Sequence, residues 1–391
     1  MPDPFADIDI PLIRPWLDDR EIEASRRVLS SGWVTQGQEV VHFEQEFASA
    51  VGAPYACAVS SCTAALHLAL AALGIGPGDE VIIPSHTFVS AAAVILHRGA
   101  TPVFAEIDPA TFNLNPESVA ASVSSRTKAV IAVHQMGMPC DMASITNIAK
   151  DHGLAVIEDA ACAVGSEILW NNQWHKIGTP HGDIVCFSFH PRKIMTTGEG
   201  GMLTTRERSM DEAFRLLRQH GMNVSDKERH TSTQVRFESY TMVGYNFKMT
   251  DIQAAIGREQ LNKLPELIAK RRRFANRYAS LLEERPQIVQ PHEPPWARSN
   301  FQSYCVRLPE SADQTEVMQF MLDRGIATRK GIVCTHLQPG FRDRFIVRDP
   351  GGLSHSERAE ARSIQLPLFH QMTEEQQDRV VLALLEACGL K

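Results

Sequence analysis

Short β-rich runs alternate with helical patterns from residue 56 to about residue 205, and no other feature limits the fold of this chain so tightly. Asp79 to Pro84 reads as a strand after the Gly76-Pro77-Gly78 turn, and Phe88 to His97 reads as helix. Strands over Thr101 to Phe104, Lys128 to Val133 and Ala155 to Asp159, with a helix over Met142 to His152, continue the pattern. Asp183 to Phe189 closes it with an apolar run of buried-strand length. Parallel strands need helical crossovers, so this order predicts an α/β fold with a mainly parallel sheet flanked by helices.

Past residue 251 the pattern changes to two long helices, Asp251 to Leu264 and Leu267 to Leu282, then to short strands and helices. A chain of 391 residues also exceeds the roughly 250 to 300 residues at which one core stops growing. Two domains are expected: residues 1–250 as a large α/β domain with an N-terminal arm, and residues 251–391 as a smaller C-terminal α+β domain.

The balance of 39 Lys plus Arg against 46 Asp plus Glu, net -7, leaves no electrostatic footprint for nucleic acid or an anionic membrane. The one basic run, Lys270-Arg271-Arg272-Arg273, falls in a helical stretch and reads as a solvated helix face. No run approaches the roughly 20 apolar residues that span a bilayer, and Met1-Pro2-Asp3-Pro4-Phe5 lacks the basic-then-apolar order of a secretory signal. A soluble, cytoplasmic protein with small-molecule partners is expected. The eight cysteines show neither a CxxC pair nor zinc-ligand spacing, so they read as buried free thiols with no metal site.

In open α/β sheets, ligands sit beyond the carboxyl ends of the strands, and three such ends carry conspicuous polar residues. Ser60-Ser61-Cys62-Thr63 precedes the helical stretch Ala64 to Leu73, so its N–H groups and hydroxyls suit either a phosphate or a plain N-cap. Asp159 ends an apolar strand; its carboxylate needs a partner, either a protonated ring nitrogen or a helix end or Arg. Lys193 lies between the run ending at Ser188-Phe189 and the Gly198 to Gly201 loop, where desolvation would lower its pKa and make its amine a nucleophile toward an aldehyde. Each feature alone has a bland reading. Together, a phosphate cup, an aspartate and a lysine are the parts of a pyridoxal 5'-phosphate (PLP) enzyme.

The motifs resemble the DegT/DnrJ/EryC1/StrS family, the sugar aminotransferases of fold type I. The likeness runs from Ile10-Pro11-Leu12 through Gly32-Trp33-Val34-Thr35-Gln36-Gly37, Glu158-Asp159-Ala160-Ala161 and the lysine loop to Leu366-Pro367-Leu368-Phe369. Gly244-Tyr245-Asn246-Phe247-Lys248-Met249-Thr250-Asp251 belongs to it as well. The resemblance implies that Lys193 holds PLP covalently and that Asp159 pairs with the pyridine nitrogen. It also implies that Phe88 lies against the cofactor face, that Ser61, Cys62, Thr63 and Ser188 hold the phosphate, and that Asn246 reaches it from the other subunit of a homodimer with shared active sites. Two positions depart from the family pattern. Cys62 stands where Gly is common, and Cys162 where Gln or His is common, which weakens the polar contact near the ring hydroxyl.

On this reading an amino donor, expected to be L-glutamate, displaces Lys193 and leaves pyridoxamine phosphate, and a keto sugar then accepts the amine. The acceptor is expected to be a nucleotide-linked 3- or 4-keto-hexose in polysaccharide or antibiotic amino-sugar biosynthesis, with a free keto sugar, sugar phosphate or cyclitol as the alternative. Lys248, Arg329, Lys330 and Arg236 are candidate diphosphate contacts, and His336 lies in a candidate sugar-contacting stretch. A PLP-dependent sugar dehydratase would lack the lysine, and a non-catalytic regulator has no reason to keep Lys193, Asp159 and the phosphate cup together.

Overall fold

The computed structural model describes residues 8–224 and 237–390; the N-terminal pentapeptide and Arg236 lie outside them. The strands are β1 (Tyr55–Val59), β2 (Glu80–Pro84), β3 (Thr101–Ala105), β4 (Thr127–Val133), β5 (Ala155–Asp159), β6 (Glu167–Trp170) and β7 (Gln173–Lys176). They continue with β8 (Ile184–Ser188), β9 (Gly201–Thr205), β10 (Ala297–Arg298), β11 (Tyr304–Arg307), β12 (Arg329–Lys330), β13 (Ile346–Val347) and β14 (Ser363–Leu366). Eight of them form one sheet in the order β1-β9-β8-β5-β4-β2-β3-β13, parallel except where β9 runs antiparallel between β1 and β8.

Successive side chains of a strand face opposite ways, and β4 shows how this sheet is buried on both sides. Val130 and Ala132 join Phe43, Phe47 and Met142 in one apolar layer, while Ala129, Ile131 and Val133 join Leu66, Ile95 and Phe214 in the other. Both faces are therefore covered by helices. Local signals place those helices: Ser61 accepts from the Ala64 N–H at the start of Cys62–Ala72, and Asp141 and Gly153 bracket Met142–His152.

A third apolar cluster gathers Phe274, Tyr278, Tyr304, Val306, Ile364, Leu366 and Val380 around the antiparallel sheet β11-β14-β12, with Ile10 from the N-terminal arm. β13 leaves this region and pairs with β3 on the edge of the large sheet, and β10 pairs with β6 in a small sheet with β7, so the chain past residue 251 contributes to all three sheets.

Two expectations fail here. The two helices read after residue 251 are one, Asp251–Leu281, which passes through Pro265. Proline removes one N–H and crowds the preceding turn, but tertiary packing on both sides outweighs that cost. At the N-terminal half a Cβ on Gly257 would come within 2.7 Å of the Phe43 ring, so glycine allows the closest approach, and the C-terminal half buries Phe274, Ala275 and Tyr278. Arg271, read as part of a solvated face, is only 1% exposed and donates to the carbonyls of Phe301 and Gln302. Burial pulls its pKa down to about 10. Lys270 does reach the surface, over the Trp16 ring.

All eight cysteines are free, five of them buried. Among the described residues no helix is long and apolar enough to cross a membrane.

Candidate active site

The ends of β1, β8 and β5 fall on the same edge of the large sheet, and glycine at the start of β9 lets them close up. Gly201 pairs with Val59 on one side and Ser188 on the other. A Cβ there would lie 2.5 Å from the Ser61 carbonyl and 2.7 Å from the Cys62 nitrogen, so only glycine can pass under this turn. Ser188 is thereby held beside the Ser60 to Thr63 turn. Ser61 spends its side-chain oxygen on the N-cap, while Cys62 and Thr63 begin a helix whose first N–H groups have no intrahelical acceptor. Those N–H groups and the helix dipole suit an anion.

Asp159 stands on the same edge, buried. Its Oδ1 accepts from the Ala161 N–H at 3.0 Å and more weakly from the Cys62 thiol at 3.9 Å. Burial raises its pKa despite the help of Ala161 and Lys193, so this carboxylate is under-compensated. A cationic partner would relieve it.

Lys193 sits in a loop fixed from several sides. Phe189 accepts from Thr196 and Thr197, Gln253 donates to the Glu199 carbonyl and Gln302 to the Arg192 carbonyl. The Lys193 amine lies 3.0 Å from the Cys162 sulfur. Desolvation was expected to lower its pKa, and that expectation fails. Burial does press the ammonium down, but Cys162, Asp159 and Cys62 together outweigh it and leave the pKa raised.

Sequence reasoning missed Asn300, which packs its amide between the Cys162 and Val164 carbonyls and receives the Gln302 N–H, tying the Cys162 turn to the C-terminal region. It also missed the partners of Glu158. His134 Nε2 lies 3.1 Å from that carboxylate, and the His181 and Gly182 N–H groups donate to it. Neither constellation has a local motif, because each joins segments far apart in sequence.

The remaining predicted residues are placed unevenly. Phe88 follows β2 on the same edge, 58% exposed. Lys248 bridges to Val59 and the Phe247 carbonyl accepts from the Ser60 N–H, so the Asn246 to Lys248 segment runs beside the turn within its own chain. His336 hydrogen-bonds Ser85 at 2.6 Å and pairs with Glu357, which seats its loop against the residues just before Phe88. Lys330 is engaged by Glu360 at 2.7 Å, and Arg329 is exposed on β12. The structure therefore does not bring Lys330 and Arg329 to the turn as a pair of open cations.

Solved structures share the whole architecture. An aminotransferase, TlmJ, from Streptoalloteichus hindustanus is 34% identical with a TM-score of 0.87, covering 97% of this chain and 99% of its own. DesV from S. venezuelae, solved in complex with a ketimine intermediate, is 31% identical with a TM-score of 0.85, covering 96% and 98%. Fold and neighbours together define a PLP-dependent aminotransferase. The chain belongs to the DegT/DnrJ/EryC1/StrS aminotransferase family, which matches residues 15–385, and is thus one of the sugar aminotransferases. It is also similar to the spore coat polysaccharide biosynthesis protein SpsC of Bacillus subtilis, 37% identical over 96% of each chain.

The residues present suit PLP. An under-compensated buried carboxylate matches a pyridinium, the N–H groups at Cys62 and Thr63 match a phosphate, and Lys193 offers an amine on the same sheet edge.

Proposed function

We propose that the chain transfers an amino group from L-glutamate to a nucleotide-linked 3- or 4-keto-hexose, as a cytoplasmic homodimer with shared active sites. The observation that carries this reading is the meeting of Lys193, Asp159 and the Cys62 helix start on one strand edge, within a family of sugar aminotransferases. Bound PLP supplies an aldehyde that exchanges amines and a ring that takes up electron density.

The chain's own groups do the rest. Lys193 would hold the cofactor covalently and, once displaced, its Nζ would take the proton from the substrate carbon that carries the amine. Asp159 keeps the ring nitrogen charged, and its burial makes that interaction strong. The N–H groups of Cys62 and Thr63, the hydroxyls of Ser61 and Ser188, and Asn246 from the partner subunit would hold the phosphate, while Phe88 would cover the ring and Cys162 would take the position near the ring hydroxyl.

Exposed apolar side chains favour a partner subunit. Phe88 is 58% exposed, Phe237 88%, Tyr240 62% and Val243 94%, and the last three lead directly into the Gly244 to Lys248 segment. A subunit carrying Lys193→Ala mixed with one carrying Asn246→Asp should regain activity that neither has alone; a fully active monomer would contradict the shared site.

The nucleotide-linked acceptor rests on Lys248 beside the turn and on Arg329, since Lys330 is engaged by Glu360. A screen of acceptors against the pyridoxamine form tests it. Amination of nucleotide-linked keto-hexoses is expected, and efficient amination of an unphosphorylated sugar or cyclitol in their place would overturn the substrate class.

A further inference from the structure

Arg271 is a cation buried without an anion. Among the described residues no carboxylate pairs with it, its Nε is buried without a partner, and its Nη1 donates to the Phe301 and Gln302 carbonyls at 3.1 and 3.0 Å. Burying a charge against carbonyls alone costs stability. A second cost falls on the same segment. Phe301 has a φ of 50°, a left-handed conformation that a bulky side chain rarely adopts, and the Ser299 hydroxyl helps to fix it there by accepting from its N–H at 2.9 Å.

The two amides that flank Phe301 reach the active site. Asn300 Nδ2 donates to the Cys162 and Val164 carbonyls at 2.9 and 2.8 Å, and Gln302 Nε2 donates to the Arg192 carbonyl at 2.6 Å. Asn300 Oδ1 in turn accepts from the Gln302 N–H at 2.7 Å, which locks the two together as one staple. Other segments hold the Lys193 loop at Thr196, through Gln260, and at Glu199, through Gln253. The Gln302 contact is the one that adjoins Lys193. Gln302 Oε1 is buried without a partner, so this amide serves the site through its donor.

We propose that Gln302 is a positioning residue of Lys193: its amide fixes the loop at the point from which the amine reaches the cofactor, with Asn300 tying the Cys162 turn to the same staple and Arg271 anchoring it. This rests on Lys193 being the PLP lysine. Forming the covalent link depends on where the amine is held relative to the aldehyde. Without the Gln302 donor the loop keeps its bonds at Thr196 and Glu199, and Arg192 is exposed, so water takes its carbonyl. The fold then survives while the hold beside Lys193 loosens. Pyridoxamine phosphate carries its own amine and makes no link to Lys193, so its binding is insensitive to that position.

The test compares two ligands by equilibrium dialysis. Gln302→Met keeps the length of the side chain and removes the donor, so PLP affinity should fall about three- to ten-fold, the worth of one hydrogen bond, while pyridoxamine phosphate affinity stays within about two-fold of wild type. The PLP loss should vanish in a Lys193→Ala background, where no amine is left to misplace. Gln302→Asn, whose shorter amide falls short of Arg192, carries the same comparison should Gln302→Met not fold. Unchanged PLP affinity, an equal loss of both ligands, or a PLP loss that persists in Lys193→Ala overturns the positioning role. Borohydride fixation of PLP on another lysine of the wild type overturns the cofactor assignment instead.

Discussion

Glu158 and Asp159 are consecutive carboxylates at the end of β5, both buried, and strand alternation points them to opposite faces of the sheet. Glu158 is saturated: His134, the His181 N–H and the Gly182 N–H all reach it. His134 Nδ1 accepts from the Cys140 N–H, which leaves the proton on Nε2 facing Glu158. Burial works to raise the Glu158 carboxyl, but His134 and His181 outweigh it and hold the group well below the usual carboxylate range. Asp159 receives one backbone N–H and a thiol, and burial raises it. The difference teaches which carboxylate holds the fold and which awaits a ligand: the first is satisfied by its own chain, the second is not.

The largest effect that could break this comparison is on turnover. Lys193→Ala should lower turnover on the order of 10³-fold or more, through loss of both the covalent link and the proton carrier, while still binding PLP. Transamination at near wild-type rate would remove the site from this edge of the sheet. Asp159→Asn should cost about 3 to 4 kcal/mol of transition-state stabilisation, read from steady-state kinetics, with the fold intact. Activity within a few-fold of wild type would assign the ring nitrogen to another group.

Glu158→Gln should do the reverse, costing about 1.5 to 3 kcal/mol of stability in denaturant unfolding, because His134 and the His181 and Gly182 N–H groups lose a charged acceptor. The pH dependence carries opposite signs. Glu158 has a depressed folded pKa, so its stabilisation is present above the ordinary Glu value of 4.5 and is lost as pH falls toward the folded one. Asp159 has a raised folded pKa, so its charge costs stability at neutral pH and that cost is relieved as pH falls through the folded value. Melting of the cofactor-free variants at pH 7 should therefore show Glu158→Gln well below wild type and Asp159→Asn at or above it. Equal losses would erase the distinction. The smallest effect is on substrate preference: Lys248→Ala and Arg329→Ala should weaken the sugar half-reaction and spare the glutamate half-reaction, and equal damage to both would count against a diphosphate contact.

The large sheet was legible because its strands are apolar runs whose period and length need no tertiary information; Met142 to His152 and Ala155 to Asp159 occur with the bounds expected. Lys193, Asp159 and the Ser60 to Thr63 turn could be singled out because each stands where a strand gives way to polar chain. What failed depended on partners distant in sequence. Pro265 reads as a helix break until Phe43 and the C-terminal core are seen to hold both halves. Arg271 reads as solvated until the carbonyls of Phe301 and Gln302 are in place, and the direction of the Lys193 shift follows from Cys62, Asp159 and Cys162, which lie 131, 34 and 31 residues away in sequence. His134 and Asn300 carry no local signal at all.

The central claim is that Lys193 is the lysine that holds PLP, and borohydride reduction of the holoenzyme followed by peptide mapping tests it most directly. A phosphopyridoxyl group on Lys193, absent from the reduced Lys193→Ala protein, is the predicted result. The same group found on any other lysine of the wild type would contradict it.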